Sequence, residues 1–266
     1  ENSFGSFATS AGWRNRSVRH LLMDAESKRA VSPMRILVVE NYQATSLGLM
    51  RPALASAGAV IDIRRAHEGD ALPETPEGYD AIIVLGGGQS AVDDEAHPYL
   101  PRLARLMRAF GDADKSVLGI CLGSQILARG YGANNILGRP TEFGWQEVTP
   151  TEAGRDDPVV GVLEGPSPLF HWHSDTFSLP EGAVHLATSA LTPNQAFRIG
   201  RAVYGIQFHF EADTALVRDW SDTFGDVAAE IDPDWPERHA REEGPLGSRA
   251  DAAGRAIARA WIATIR

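Results

Sequence analysis

The sequence has little cysteine and no long apolar run. Its 266 residues include a single cysteine, Cys121, which excludes an internal disulfide and a metal cluster built from cysteines. This cysteine usage fits a reducing compartment, so we expect a cytoplasmic protein. No segment approaches the roughly 18 consecutive apolar residues that a membrane helix needs. The sequence therefore predicts no contact with a membrane.

Positive charge is also scarce. The chain carries 25 Lys and Arg against 35 Asp and Glu, a formal net charge of -10. Because proteins bind nucleic acids largely through Lys and Arg on phosphates, DNA and RNA are not expected partners. The glycines at 86–88 are not part of a phosphate-binding loop, since the Lys and Ser/Thr of that motif are absent. ATP-dependent chemistry would therefore need another chain.

The composition, 43% hydrophobic and 23% charged, is that of an ordinary globular domain, and the length suits one α/β domain. Residues 1–33 show little apolar periodicity, whereas a buried strand begins abruptly at Met34. We expect residues 1–33 to be a flexible extension or leader. Residues 34–266 are expected to form a single domain that ends in a helix.

Apolar strands alternate with helical patterns along the first half of this domain. Strands are predicted at 35–39, 60–63, 80–85 and 116–120, and helices at 45–57, 98–110 and 122–131. Shorter strands follow at 142–149, 183–188, 195–199 and 202–208, then helices at 213–224 and 251–265 separated by a loop at 232–237. This order predicts a doubly wound, mostly parallel open α/β sheet flanked by helices, with ligands beyond the carboxyl ends of its strands.

Cys121 lies where the strand at 116–120 runs directly into a helix, with Gly119 and Gly123 close by. This pattern is typical of a nucleophile elbow, which exposes the sulfur near the positive end of a helix and stabilises a thiolate. The next backbone amide, that of Leu122, could donate to an oxyanion at the same place. A lone cysteine is otherwise a small buried hydrophobic residue, but this setting favours a nucleophile.

His209 and Glu211 provide the groups that such a nucleophile needs. They are two residues apart, so their side chains share one face if the strand at 202–208 continues through them. The carboxylate can then orient the imidazole while the other ring nitrogen faces Cys121. Phe210, between them, would point the opposite way.

The segment at 119–125 resembles the nucleophile motif of class I glutamine amidotransferases, a family that includes the glutaminase domain of GMP synthase and stand-alone relatives. Segments 85–90, 170–175 and 204–211 resemble, in the family's order, its oxyanion strand, the segment that presents backbone groups to substrate, and its closing motif. Gly88 and Phe210 replace prolines of the family pattern, and Ser174 replaces a glycine.

The resemblance implies a flavodoxin-like fold and hydrolysis of the side-chain amide of L-glutamine. Cys121 would form a thioester, His209 would act as base, and Glu211 would orient His209. Gly87 and Leu122 would donate backbone hydrogen bonds in the oxyanion hole. The positions that match substrate contacts are Gly88, Gln125, Trp172, His173, Ser174 and Asp175. The resemblance implies no cofactor.

The histidines of the segment 170–175 also raise the possibility of a metal site. His171 and His173 would share a strand face, and Asp175 is close in sequence. No further cluster of histidine or carboxylate is visible in the sequence to complete a coordination shell, so we expect no metal. The segment 142–145 resembles one that recurs in stand-alone members, but an aromatic residue beside glycine favours core packing.

The sequence leaves three functions open. A glutaminase would supply ammonia to a separate acceptor enzyme, a synthetase or another ATP-dependent partner. A stand-alone hydrolase would use the same residues on γ-glutamyl peptides or conjugates. A binding or regulatory subunit without catalysis is the third, and the presence of Cys121, His209 and Glu211 disfavours it. The acceptor, the partner and the oligomeric state are not encoded in any recognisable pattern.

Overall fold

A computed structural model describes residues 33–266 of the chain. Residues 1–32 lie outside the described part, so the extension or leader expected over 1–33 stays a prediction. Within 33–266, no helix is both long and apolar enough to cross a membrane.

The parallel half of the sheet contains strands that the sequence predicts. Its strands are β1 (Arg35–Glu40), β2 (Val60–Arg65), β3 (Ala81–Val84), β4 (Ser116–Ile120) and β11 (Val203–Ile206). They lie in the order β2-β1-β3-β4-β11 with every neighbouring pair parallel. The residues of β3 and β4 are all buried, because helices cover both faces of a parallel sheet.

An antiparallel extension continues the sheet beyond β11. Its strands, in spatial order, are β10 (Ala196–Ile199), β9 (Val184–Thr188), β6 (Glu142–Pro150) and β7 (Ser167–His173). A separate small pair joins β5 (Asn135–Ile136) to β8 (Thr176–Phe177). The mixed continuation of the sheet was expected from the sequence, whereas β7 was not among the predicted strands.

Helices pack on both faces of the sheet. They are α1 (Met50–Ser56), α2 (Leu100–Asp112), α3 (Leu122–Gly130), α4 (Glu152–Arg155), α5 (Thr214–Thr223), α6 (Gly225–Ile231), α7 (Trp235–Glu242) and α8 (Ser248–Ile262). Alternate residues of β1 enter opposite cores, with Val38 packing in the core that contains Trp261 of α8 and Val39 in the core that contains Phe110 of α2. The predicted doubly wound α/β fold is confirmed.

Several predicted boundaries were wrong. The helix expected at 45–57 begins at Met50, and the terminal helix begins at Ser248. The loop expected at 232–237 contains the start of α7, and α6 occupies a stretch where no helix was predicted. Proline is favoured in the first turn of a helix, so the prolines near Trp235 are compatible with a helix start as well as with a loop.

An aromatic cluster attaches the C-terminal helices to the antiparallel strands. Trp235 at the start of α7 is 2% exposed, and its ring centroid lies 4.6 Å from that of Phe143 and 5.9 Å from that of Trp145. Phe170 of β7 packs against Trp220 of α5, with centroids 5.9 Å apart. These contacts position helices α5, α6 and α7 beside the carboxyl end of β4, where Cys121 lies.

Candidate active site

Cys121 occupies a strained turn between β4 and α3. Its backbone has φ 52° and ψ -111°, in a region that residues other than glycine rarely adopt. A Cβ atom at Gly123 would overlap the backbone carbonyl of Val84, and one at Gly119 would overlap that of Gly123. The two glycines therefore let the first turn of α3 approach β3 and β4 closely. Such strain is typical of functional sites, and this backbone conformation places Cys121 at the end of the strand.

His209 and Glu211 form a buried pair beside this turn. The Nδ1 atom of His209 lies 2.7 Å from Oε1 of Glu211, and the side chains are only 6% and 3% exposed. β11 ends at Ile206, but the backbone N–H of His209 donates to the carbonyl of Phe170 at 2.8 Å. The expected pairing of His209 with Glu211 thus occurs without a continuous strand, because one backbone bridge to β7 fixes the segment.

Gly86 lies next to both the imidazole of His209 and the side chain of Cys121. A Cβ atom at this position would lie 3.1 Å from Cε1 of His209 and 3.6 Å from Cβ of Cys121. The sequence motif pointed to Gly87 and Gly88, and no function was predicted for Gly86. A side chain there would press on His209, so the first glycine of the triplet keeps space for the imidazole.

Two charges act on His209. Burial disfavours its protonated form, but the negative charges of Glu211 and of a Cys121 thiolate outweigh burial and raise the pKa of His209 to about 10. Because Nδ1 faces the carboxylate, we assign it a proton, which leaves Nε2 to exchange a proton on the side of Cys121. Chemically, the three side chains can support attack by sulfur and protonation of a leaving group.

A cavity of about 420 Å³ opens beside the sulfur. Cys121 and His209 both line it, and Glu211 supports His209 from behind. The other residues that the resemblance singled out also lie on its wall: Gly87, Gly88, Leu122, Gln125, Trp172, His173, Ser174 and Asp175. The structure therefore brings the predicted site residues together around one pocket. The individual contacts that each would make with a substrate stay predictions.

The backbone of residues 172–175 is held in place by side chains from other elements. The carbonyl of Asp175 accepts hydrogen bonds from Nε2 of Gln125 at 2.9 Å and from Nδ1 of His173 at 3.1 Å. The carboxylate of Asp175 accepts instead from the backbone of Gly138 at 2.9 Å. The carbonyl of Trp172 lies 4.0 Å from the sulfur of Cys121. This segment thus lies on the pocket wall, and the backbone contacts with substrate that the resemblance implies stay a prediction.

The apolar part of the wall was not predicted from the sequence. Its residues are Tyr42, Ala44, Trp220, Phe224, Val227 and Ile231. The ring centroid of Trp220 lies 5.1 Å from that of His209, with the rings nearly perpendicular. The apolar spacing from 220 to 231 was the available signal, since those residues recur every three or four positions.

His171 and His173 gain a partner that their spacing did not reveal. Glu142 of β6 pairs directly with His173 of β7, and the ligand atoms of the three side chains lie within 4.8 Å of one another. Oε2 of Glu142 is 3.1 Å from Nε2 of His173 and accepts from Gln195 at 2.6 Å, and Ser189 donates to Oε1. Asp175 is not part of this cluster.

The charge state of this cluster follows from its burial and its hydrogen bonds. Burial opposes ionisation of Glu142, but the hydrogen bond from His173 and the charge of His171 lower its pKa to about 2. Burial, followed by the charge of His173, lowers the pKa of His171 to about 3. Both oxygens of Glu142 already accept hydrogen bonds from protein side chains. These contacts favour a hydrogen-bonded network over a metal site, and the expectation of no metal stays a prediction.

The chain belongs to the class I glutamine amidotransferase family. The sequence model of Glutamine amidotransferase class-I matches residues 37–216, which include Cys121, His209 and Glu211. The resemblance drawn from the four motifs is thereby confirmed. The match ends within α5, before the apolar residues at 220–231.

Individual relatives agree with this family. The chain is 34% identical over 181 residues to the glutamine amidotransferase-like protein YfeJ of Salmonella typhimurium, covering 67% of this chain and 76% of that protein. It is 31% identical over 199 residues to a glutamine-hydrolyzing GMP synthase subunit of Natronomonas pharaonis, covering 73% and 98%. The crystal structure of a glutamine amidotransferase from Thermotoga maritima superposes with a TM-score of 0.72 at 28% identity, covering 85% of this chain and 98% of that one.

Proposed function

We propose that the chain hydrolyses the side-chain amide of L-glutamine to glutamate and ammonia through a thioester on Cys121. The observation that supports this most strongly is the strained turn at Cys121 beside the buried His209–Glu211 pair. A nucleophile, a proton carrier and a group that orients the carrier are the parts that cysteine-dependent amide hydrolysis requires.

In the proposed reaction, His209 takes the thiol proton of Cys121 and the sulfur attacks the amide carbon of glutamine. The nitrogen leaves as ammonia after taking a proton from His209, whose charged form Glu211 stabilises. Backbone N–H groups of Gly87 and Leu122 stabilise the oxyanion, and each such donor contributes about 3–4 kcal/mol to the transition state. Water then attacks the thioester and releases glutamate.

The ammonia has a proposed destination. We propose that a separate acceptor enzyme uses it, because the relative from Natronomonas pharaonis is named as one subunit of a glutamine-hydrolyzing GMP synthase. We describe the acceptor enzyme only by its reaction: it activates a carbonyl or other oxygen-bearing group of its own substrate, which ammonia then aminates.

The test is the release of glutamate and ammonia from L-glutamine, compared between the native protein and Cys121→Ala. Equal amounts of both products from the native protein, and none from the variant, are the expected result. Circular dichroism and thermal unfolding of Cys121→Ala should match the native protein, since the substitution removes only the sulfur atom and leaves the backbone unchanged. A folded variant that turns over at the native rate would overturn the assignment of Cys121.

A further inference from the structure

The cavity beside Cys121 has two chemically different walls. Hydrogen-bonding groups form one, with the side chain of Gln125 and the backbone of residues 172–175. Apolar side chains from α5, α6 and the junction between these helices form the other: Trp220, Phe224, Val227 and Ile231. The α-amino and carboxylate groups of a glutamyl substrate match the polar wall. The apolar wall has no corresponding part in glutamine, whose leaving group is ammonia.

This apolar wall is a continuous surface. Residues 224, 227 and 231 recur at helical spacing, and the Phe224 ring centroid lies 6.0 Å from that of Tyr42 and 6.0 Å from that of Trp172. Phe224 therefore contacts two other aromatic residues that line the same cavity. Val227 is 49% exposed, so the wall extends from the pocket to solvent and leaves space for a bulky group.

The apolar wall lies on the side of the proton donor. The ring of His209 packs against Trp220 with centroids 5.1 Å apart. Under the proposed function, His209 protonates the departing nitrogen, so that nitrogen leaves next to Trp220. Ammonia gains no binding free energy from an apolar surface. An alkyl group on the nitrogen does gain it, because its apolar surface is transferred from water to the apolar wall.

We propose that the chain also hydrolyses γ-glutamyl amides whose nitrogen carries an apolar substituent. This inference rests on the proposed function and names a further substrate class for the same site. His209 takes the thiol proton of Cys121, and the sulfur attacks the γ-carbonyl carbon. The carbon–nitrogen bond then breaks, and the nitrogen takes that proton back from His209 and leaves as a primary amine. Water then cleaves the thioester to glutamate and restores the thiol.

The experiment compares kcat/KM for L-glutamine, γ-glutamylmethylamide and γ-glutamylisopentylamide. The two alkylamides have similar reactivity, so their ratio reports binding of the longer alkyl group. We expect the isopentylamide to be favoured over the methylamide by about tenfold or more, because each methylene in an apolar pocket contributes to discrimination. Val227→Asp should lower that ratio by about tenfold, since it places a charge on the wall.

The matched control is Val60→Asp. Val60 is 47% exposed at the amino end of β2, whereas Cys121 follows the carboxyl end of β4. The same substitution at Val60 should leave kcat/KM for the two alkylamides, and the ratio between them, unchanged. If L-glutamine is hydrolysed but the isopentylamide is no better than the methylamide, the inference is overturned and the proposed function stands.

A binding measurement separates the inference from turnover. Titration calorimetry of Cys121→Ala with both alkylamides measures how tightly each one binds, even if the protein hydrolyses neither. Tighter binding of the isopentylamide that is lost on adding Val227→Asp supports the inference. Equal or weaker binding of the isopentylamide overturns it, whatever the turnover of L-glutamine.

Discussion

Glu211→Gln removes the charge beside His209 and keeps the shape of the side chain. In the native protein, Oε1 of Glu211 lies 2.7 Å from Nδ1 of His209, and the two side chains are only 3% and 6% exposed. The pKa of His209 reaches about 10 because the charges of Glu211 and Cys121 outweigh burial. With glutamine at 211, one of the negative charges that offset the effect of burial is gone, so the pKa of His209 should fall.

The size of the change follows from the bond that is lost. A hydrogen bond to a charged group contributes about 1.5–3 kcal/mol, which corresponds to about 1–2 pH units. Protonated His209 is the proposed acid, so activity is present below its pKa and is lost as pH rises through it. The alkaline limb of kcat/KM, expected near pH 10 in the native protein, should therefore move down by about 1–2 units. kcat should fall on the order of a hundredfold or more, because an amide can hold the wrong tautomer.

The assay is glutamate release from L-glutamine across about pH 6–11 for the native protein and Glu211→Gln. Glu243→Gln is the control, since Glu243 does not line the pocket and its substitution breaks only a partly exposed ion pair with Arg218. Its profile should match that of the native protein. An unchanged alkaline limb together with native kcat in Glu211→Gln would refute the role given to the His209–Glu211 pair.

Three further predictions concern stability and metal content. Gly123→Ala should lower the free energy of unfolding, measured by urea titration, by about 1–3 kcal/mol or more, because the new Cβ overlaps the carbonyl of Val84. The control Gly165→Ala should change the free energy of unfolding little, because its new Cβ would meet no atom within 4 Å. Glu142→Gln should reduce the loss of stability between pH 4.5 and about 2, since the native carboxylate, with its lowered pKa, contributes stability that disappears as it is protonated; an identical acid transition in both proteins would contradict this. The purified protein should carry less than stoichiometric metal by elemental analysis and keep its Tm in chelator. One tightly bound ion per chain would contradict the expectation that the Glu142–His171–His173 cluster holds no metal.

Short-range patterns were sufficient to place the three side chains of the proposed reaction. Cys121 follows a buried apolar run and precedes a helical one, and the close approach of α3 requires glycines at 119 and 123. His209 and Glu211 are two residues apart, so any extended conformation brings them to one side. These features depend on neighbours in sequence, and the sequence shows them directly.

Long-range register and short helices were not predictable in the same way. Glu142 meets His173 because β6 and β7 pair in one particular register, which the sequence pattern does not define. Which glycine of 86–88 faces His209 depends on the backbone path of the loop. α6 has only seven residues and acquires its place from packing of Phe224 and Ala228, so its propensity alone gives little signal.

The most direct test of the central claim is to trap the intermediate during turnover of L-glutamine. Acid quench followed by peptide mapping and mass spectrometry should show a γ-glutamyl group on the peptide that contains Cys121, and more of it in a variant whose second step is slowed. Turnover without any adduct on Cys121, retained at the native rate in folded Cys121→Ala, would contradict the proposed mechanism.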